Sequence, residues 1–227
     1  MPLLTVVIPV LADAGAAERL TAQIGADPAV EVVIVDGGHD ERLASIAGAR
    51  SQTRLIRTEP GRARQMNAGA RIANGEWLLF LHADSRLPNG WQEALSSVDA
   101  RAIGGWFRFA LDDTAWQARV IERLVAWRVS RLRLPYGDQG LFVRRGAFHS
   151  LGGFREQPLL EDVEFVRRLV AAGPVAELPL PLLTSARRWR YDGWFRRSAR
   201  NTAIVSLYFA GVAPETLERW YGAARRE

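Results

Sequence analysis

With 227 residues, nearly half of them hydrophobic (48%), the chain can bury a sizeable core, which excludes a disordered or fibrous class. It has no cysteine, so disulfides and thiolate metal sites are excluded, a reducing cytosol is compatible, and any metal must be held by oxygen or imidazole. All 30 basic residues are arginine, a compositional preference whose distribution is uneven: residues 1–100 carry a net charge of −3 and residues 101–227 a net +8, which sets the second half against something anionic.

The first segment, MPLLTVVIPV, lacks the basic flank and long apolar centre of a signal peptide and reads as a strand. From there strand and helix patterns alternate. LLTVVIPVL, VEVVIVD, TRLIRT and EWLLFLHAD are strands, separated by helical ADAGAAERLTAQIG, DERLASIAGAR and GRARQMNAGARIA. Strands apolar on both faces, alternating with helices, predict a mostly parallel sheet covered on both sides, with ligands at the carboxyl ends of its strands. The second half is less regular. GGWFRFAL predicts a strand, Trp116 to Arg133 a basic amphipathic helix, and YGDQGLFVRR leads to a turn at Gly152 and Gly153. EDVEFVRRLVAAG predicts a helix ended by Gly173 and Pro174, ELPLPLL a Pro-rich connector, and the remainder a helical region rich in Trp, Phe and Arg. No apolar run reaches the length of a membrane span; AIVSLYFAGVA, Ala203 to Ala213, is too short to cross but long enough to touch a membrane. No repeat or long polar linker divides the chain, which predicts one domain over residues 1–227.

Several polar residues fall where such a sheet delivers its ligands. Asp36 ends VVIVD before two glycines, placed either to bond a nucleotide's base or ribose or to form a turn. His82 and Asp84 end WLLFLHAD, and strand alternation puts them on one face, where the carboxylate suits a hard divalent cation and the imidazole a second ligand or a phosphate contact. In GRARQMNAGARIA the residues Ala63, Met66, Ala70 and Ala73 form a packing face. Arg62, Arg64 and Asn67 are left near a helix N-terminus, which suits a diphosphate. Glu161 and Asp162 open the helix of LLEDVEF, either as acidic residues favourable at its positive end or as a general base for a substrate hydroxyl.

In order, VVIPVL, VDGGHD, GRARQMNAGA, FLHADS, GGWFRF, YGDQGLFVRR, LEDVEF and TSARRW resemble the motif series of family 2 glycosyltransferases of the GT-A fold. The chain resembles in particular a short bacterial branch, transferase 2, associated with radical SAM and selenodomain proteins. The resemblance runs over residues 3 to 190. It implies that residues 1–100 form a nucleotide-sugar-binding half, 101–190 an acceptor-binding and catalytic half, and 191–227 C-terminal helices. It places Pro9, Val10, Leu11 and Asp13 in the nucleotide loop, where the family's Asn is absent and its Glu is shortened to Asp13. It also gives Asp36 to the nucleotide and sets Arg64 and Asn67 beside the sugar diphosphate. The family's Asp-x-Asp becomes His82 and Asp84, implying Mn2+ or Mg2+ on Asp84 with His82 in place of a carboxylate. Asp162, next to Glu161, aligns with the catalytic base; Arg64 or Arg188 assists the leaving group; Gly105, Trp106, Asp138 and Gln139 line the acceptor side. Ser185 stands where processive members carry Gln, which argues against a polymerase.

The resemblance thus implies an inverting, metal-dependent, cytoplasmic transferase that takes a UDP- or GDP-sugar to a hydroxyl acceptor. A sugar-phosphate nucleotidyltransferase is the competing enzyme class, but it normally uses lysines at its phosphates and this chain has none. A basic protein at the inner membrane face with a vestigial site is the competing non-enzymatic class, motivated by the arginine-rich helices and set against their packing on the domain. No nucleic-acid recognition motif is present.

Overall fold

The computed structural model describes residues 3 to 223. In chain order the elements are β1 (Leu4–Val10), α1 (Ala14–Ile24), β2 (Val30–Asp36), α2 (Arg42–Gly48), β3 (Thr53–Arg57), α3 (Arg62–Ile72), β4 (Trp77–Phe80), α4 (Trp91–Ser96), β5 (Gly104–Leu111) and α5 (Trp116–Leu132). A 3-10 turn at Gly137–Gln139 follows, then β6 (Leu141–Arg144), α6 (Arg145–Ser150), α7 (Glu161–Ala172), β7 (Val175–Thr184), α8 (Arg187–Asp192), α9 (Trp194–Phe209) and α10 (Pro214–Ala223). The strands form one sheet in the order β3-β2-β1-β4-β6-β5-β7. Only β6 runs against the others, so the carboxyl ends of the remaining strands share one edge. The predicted halves therefore meet within a single sheet, at the β4–β6 pairing.

Alternation along β1 explains the two-sided core. Val6 and Ile8 point to the side covered by α1 and pack with Leu20, Ile34 and Leu79. Val7, between them, points to the other side and packs with Met66, Phe80 and Phe165 from α3, β4 and α7. Gly69 lets α3 approach, because a Cβ there would lie 2.4 Å from Val7 Cγ1. Its presence in GRARQMNAGA is a packing requirement.

ELPLPLL is a strand and not a connector. It is the middle of β7, which pairs in parallel with β5 at the edge of the sheet. The two prolines obscured it, but prolines are tolerated on an edge strand. Leu178 and Leu182 are buried, and the register shifts between Phe107 and Arg108, where Arg108 Nε donates to the Pro179 carbonyl. The short helices α4 and α6 were not predicted. At the far end α9 packs on α5, α8 and α10, and Val205 joins Leu134 and Val163 in a small core that ties α9 to α7. Among the described residues no helix is long and apolar enough to cross a membrane.

Candidate active site

The carboxyl ends of β1, β2 and β4 build the first wall. Asp36 is fully buried; its Oδ1 accepts from Gly38 N at 2.9 Å, while Oδ2 accepts no hydrogen bond and lies 3.7 Å from Arg57 Nε. One oxygen thus forms the turn, and the other is left buried beside Arg57. Gly38 is packed so closely on the loop after β1 that a Cβ would fall 1.7 Å from the Leu11 carbonyl oxygen. Asp13 Oδ1 accepts from Ala16 N and caps α1. Gln65, buried on α3, donates from Nε2 to the carbonyls of Val10 and Val35 at 2.8 and 2.9 Å and so clamps the ends of β1 and β2 where their loops diverge. Gln65→Leu removes both bonds while the Val10 carbonyl keeps the one it accepts from Gly37 N at 2.8 Å, and the expected loss is about 1 to 2 kcal/mol in urea denaturation; an unchanged midpoint would show that water or a backbone shift replaces the amide.

Beyond these strand ends a cleft of about 210 Å³ is lined by His82 and Asp84 after β4, Arg62 from α3, Asp138, Glu161 and Asp162, and Ser185 and Arg188 before and on α8. Arg62 is its centre. Its Nε lies 3.2 Å from Glu161 Oε1, one Nη2 contact reaches Asp162 Oδ2 at 3.9 Å, and the same nitrogen touches His82 Nε2 at 2.5 Å. Burial works against the guanidinium's charge, but Glu161, Asp162, Asp138 and Asp84 around it raise its pKa above the ordinary arginine value. Burial first, then Arg62 and Arg188, hold the His82 pKa well below the usual imidazole value, so His82 is neutral and its Nε2 lone pair accepts from Arg62. In this arrangement the His82 ring nitrogen that faces the cleft is engaged by the Arg62 guanidinium.

The acidic pair opens α7. Asp162 Oδ2 accepts from Gly137 N at 2.6 Å and Oδ1 from Val163 N at 2.8 Å. Leu160, just before, is held left-handed at φ 65°, a conformation costly for a branched side chain and found where a site over-determines the backbone. Gly137 admits no side chain, since a Cβ would meet Arg62 Nη2 at 2.1 Å and Asp162 Oδ2 at 2.9 Å. Burial raises the Glu161 pKa, opposed by Arg62 and reinforced by Asp162. Asp138 is pushed up to about 6 by burial, with Arg128 opposing and Asp162 reinforcing.

The family model for glycosyl transferase family 2 matches residues 5–153, about two thirds of the chain. The chain belongs to glycosyl transferase family 2. Among solved structures it is similar to the mannosyltransferase PcManGT from Pyrobaculum calidifontis, determined with GDP-Man and Mn2+, at 20% identity and a TM-score of 0.69 over 94% of this chain and 66% of that one. It is also similar to residues 1–349 of S. aureus TarS, at 14% identity and a TM-score of 0.63 over 82% of this chain and 61% of that one. TarS in complex with UDP-GlcNAc gives 15% identity and 0.62. The chain therefore spans about two thirds or less of these neighbours, which share its fold. A comparison with curated protein sequences gives no match. The family match ends before Glu161 and does not single out the short bacterial branch.

Within this glycosyltransferase fold the remaining predicted residues divide. Arg64, one position from the diphosphate side, turns outward and pairs with Glu156 at 3.2 Å; the arginine that enters the cleft is Arg62. Asn67 exchanges two hydrogen bonds with the Phe154 backbone, from Nδ2 at 2.8 Å and to Oδ1 at 2.9 Å, and so fixes the turn after α6 instead of facing the cleft. Gly105 and Trp106 lie in the body of β5 away from the cleft; a Cβ on Gly105 would sit 2.0 Å from the Ala176 carbonyl oxygen. Gln139 is buried, donating to Phe107 O and accepting from Tyr136 N, and holds the 3-10 turn that presents Asp138. Pro9 lies beneath Arg62 and His82, and Val10 and Leu11 serve through their carbonyls, against Gln65 and Gly38. Gln65 and the Arg128–Tyr136 stack, 3.5 Å from guanidinium carbon to ring centre, were not assigned from sequence, and Arg62, expected beside a diphosphate, stands among the carboxylates of the cleft.

Among the described residues no three His, Asp or Glu side chains converge as a cation cage. Asp84 lines both the polar cleft and a second pocket on the α1 side, beside Asp13. One carboxylate at a strand end fits a hard divalent ion that draws its other ligands from phosphate and water, and does not fit an all-protein cage.

Proposed function

We propose that the protein is an inverting, metal-dependent glycosyltransferase that moves a sugar from a UDP- or GDP-sugar to a hydroxyl acceptor. The observation that carries this reading is the placement of a strand-end carboxylate, Asp84, and a helix-end carboxylate, Asp162, on one cleft around Arg62. The nucleoside would lie against Asp36 and the loop Pro9 to Asp13, with its diphosphate toward Asp84. Asp84 would hold Mn2+ or Mg2+, which supplies positive charge to the leaving diphosphate. Arg188 lines the same cleft and adds charge where the leaving group accumulates it. Asp162 takes the acceptor's hydroxyl proton as that oxygen bonds to the anomeric carbon from the face opposite the diphosphate; the bond from that carbon to the diphosphate oxygen breaks, and the configuration inverts. Arg62, balanced among four carboxylates, keeps Asp162 and Glu161 from repelling one another and orients neutral His82. PcManGT with GDP-Man and Mn2+, and TarS with UDP-GlcNAc, support the donor class by fold.

A thermal-shift screen of UDP- and GDP-sugars with Mn2+ tests this. A donor at about 100 times its Kd stabilises by about 2.7 kcal/mol, which is a rise of roughly 5 to 10 °C for a chain of this size. The rise should need the metal and disappear in Asp84→Ala. If no nucleotide sugar moves the melting temperature with Mn2+ or Mg2+ present, the reading fails.

A further inference from the structure

The polar cleft is not closed on its far side. It opens into a larger groove of about 340 Å³ between α5 and α9, and the two share Tyr136, Asp138, Trp189, Asn201 and Val205 as common walls. The groove differs in character from the cleft. Leu124, Trp127 and Leu132 on α5 and Phe209 on α9 line it, with 56, 60, 60 and 45% of their surfaces exposed, a concentration of large apolar side chains that a solvated surface does not require. Its inner end is polar. There Asp138 Oδ1 is shielded from solvent and accepts no hydrogen bond, and Arg128 lies over the Tyr136 ring.

We propose that the acceptor is an amphiphile, a lipid whose hydroxyl-bearing head enters the polar cleft at Asp138 and Asp162 while its apolar chain lies in the groove between α5 and α9. The inference rests on the transferase reading and names the class of its acceptor. Continuity with the cleft selects this occupant over a helix of a second copy. A docked helix needs only an apolar face, whereas this groove ends on an unpartnered carboxyl oxygen beside the proposed base. A ligand apolar along its length and polar at one end satisfies both regions at once. Arg128 lines the groove, and α5 carries Arg119, Arg123 and Arg131 besides, a positive charge that favours delivery from an anionic lipid surface.

The test uses the full chain and straight-chain primary alcohols from hexanol to decanol, titrated by calorimetry below their solubility limits. Burial of each added methylene should strengthen binding by about fourfold. Thr202→Arg combined with Ser206→Arg puts two charges in the groove from exposed positions on α9, so folding is not at stake, and should weaken decanol at least tenfold. Donor-induced stabilisation with Mn2+ is measured on the same two proteins and should be equal. If decanol binds no better than hexanol, or binds the double variant as well as the parent, the amphiphile is refuted while an intact donor response leaves the transferase standing. Loss of the donor response in both proteins refutes the transferase reading by itself. Light scattering that finds a dimer dissolved by the double substitution also overturns the proposal, since the groove is then a contact between copies.

Discussion

Replacing Asp162 by asparagine should lower the rate of sugar transfer by about 10²- to 10⁴-fold, the range a positioned general base contributes, while the parent's donor response with Mn2+ is kept. The geometry makes the substitution informative. Both carboxylate oxygens already accept backbone hydrogen bonds, Oδ2 from Gly137 and Oδ1 from Val163, so the group is fixed before any acceptor arrives. An amide can accept through one oxygen only, and its nitrogen cannot take a proton from a hydroxyl. The Asp162→Asn protein therefore loses one of the two bonds, and some stability with it, which is why the donor response must be read against the variant's own melting temperature. The two halves of the expected result separate the proposed roles: a donor on the strand ends of the first hundred residues and a base on α7. If single-turnover transfer persists at the parental rate, Asp162 is not the base, and Asp138 or Glu161, both raised by burial, becomes the carboxyl group to substitute next.

How far these roles could be read in the sequence depended on whether they are set locally. The buried parallel strands β1, β2 and β4 announce themselves through continuous apolar runs ended by Asp36 and His82–Asp84, because burial on both faces leaves no other pattern available. β7 does not, because Pro179 and Pro181 are excluded from interior strands and only the sheet order places Val175–Thr184 at an edge. The same division runs through the site. Asp84 and Asp162 were placed by strand end and helix end, features of local sequence. Arg62 and Arg64 are two residues apart on one helix, and nothing local separates them. Which enters the cleft is decided by partners far away in the chain, Glu161 for one and Glu156 for the other. Asn67 misled for a related reason. A polar residue unfavourable in a helix signals a job, and here the job is to hold the Phe154 backbone. Gln65 carried no signal, since an ordinary helix former gives no hint that its amide bridges two strand ends.

Asp138→Asn should make the folded protein more stable at pH 7 and leave it unchanged in acid. Burial lifts the Asp138 carboxyl to about 6, above the value near 3.8 that an unfolded chain gives it. Between those two values the folded chain holds a proton that the unfolded chain has released. The stability this group contributes is therefore complete below about pH 4, falls as pH rises, and is lost once pH passes about 6. Two pKa units correspond to roughly 2 to 3 kcal/mol, the amount by which ionised Asp138 opposes folding at neutral pH. Asparagine is always neutral and removes that penalty, so the urea-denaturation stabilities of parent and variant should coincide near pH 4 and diverge to that extent by pH 7. Equal stability at pH 7 would mean that the carboxyl is solvated or paired after all. The physical interest lies in why such a group is kept. Its Oδ1 has no partner in the folded chain, and it stands where the polar cleft meets the apolar groove. A hydroxyl arriving there supplies the missing hydrogen bond, so acceptor binding should recover part of the stability that the buried carboxyl costs, and Asp138→Asn should weaken that binding as it strengthens the fold.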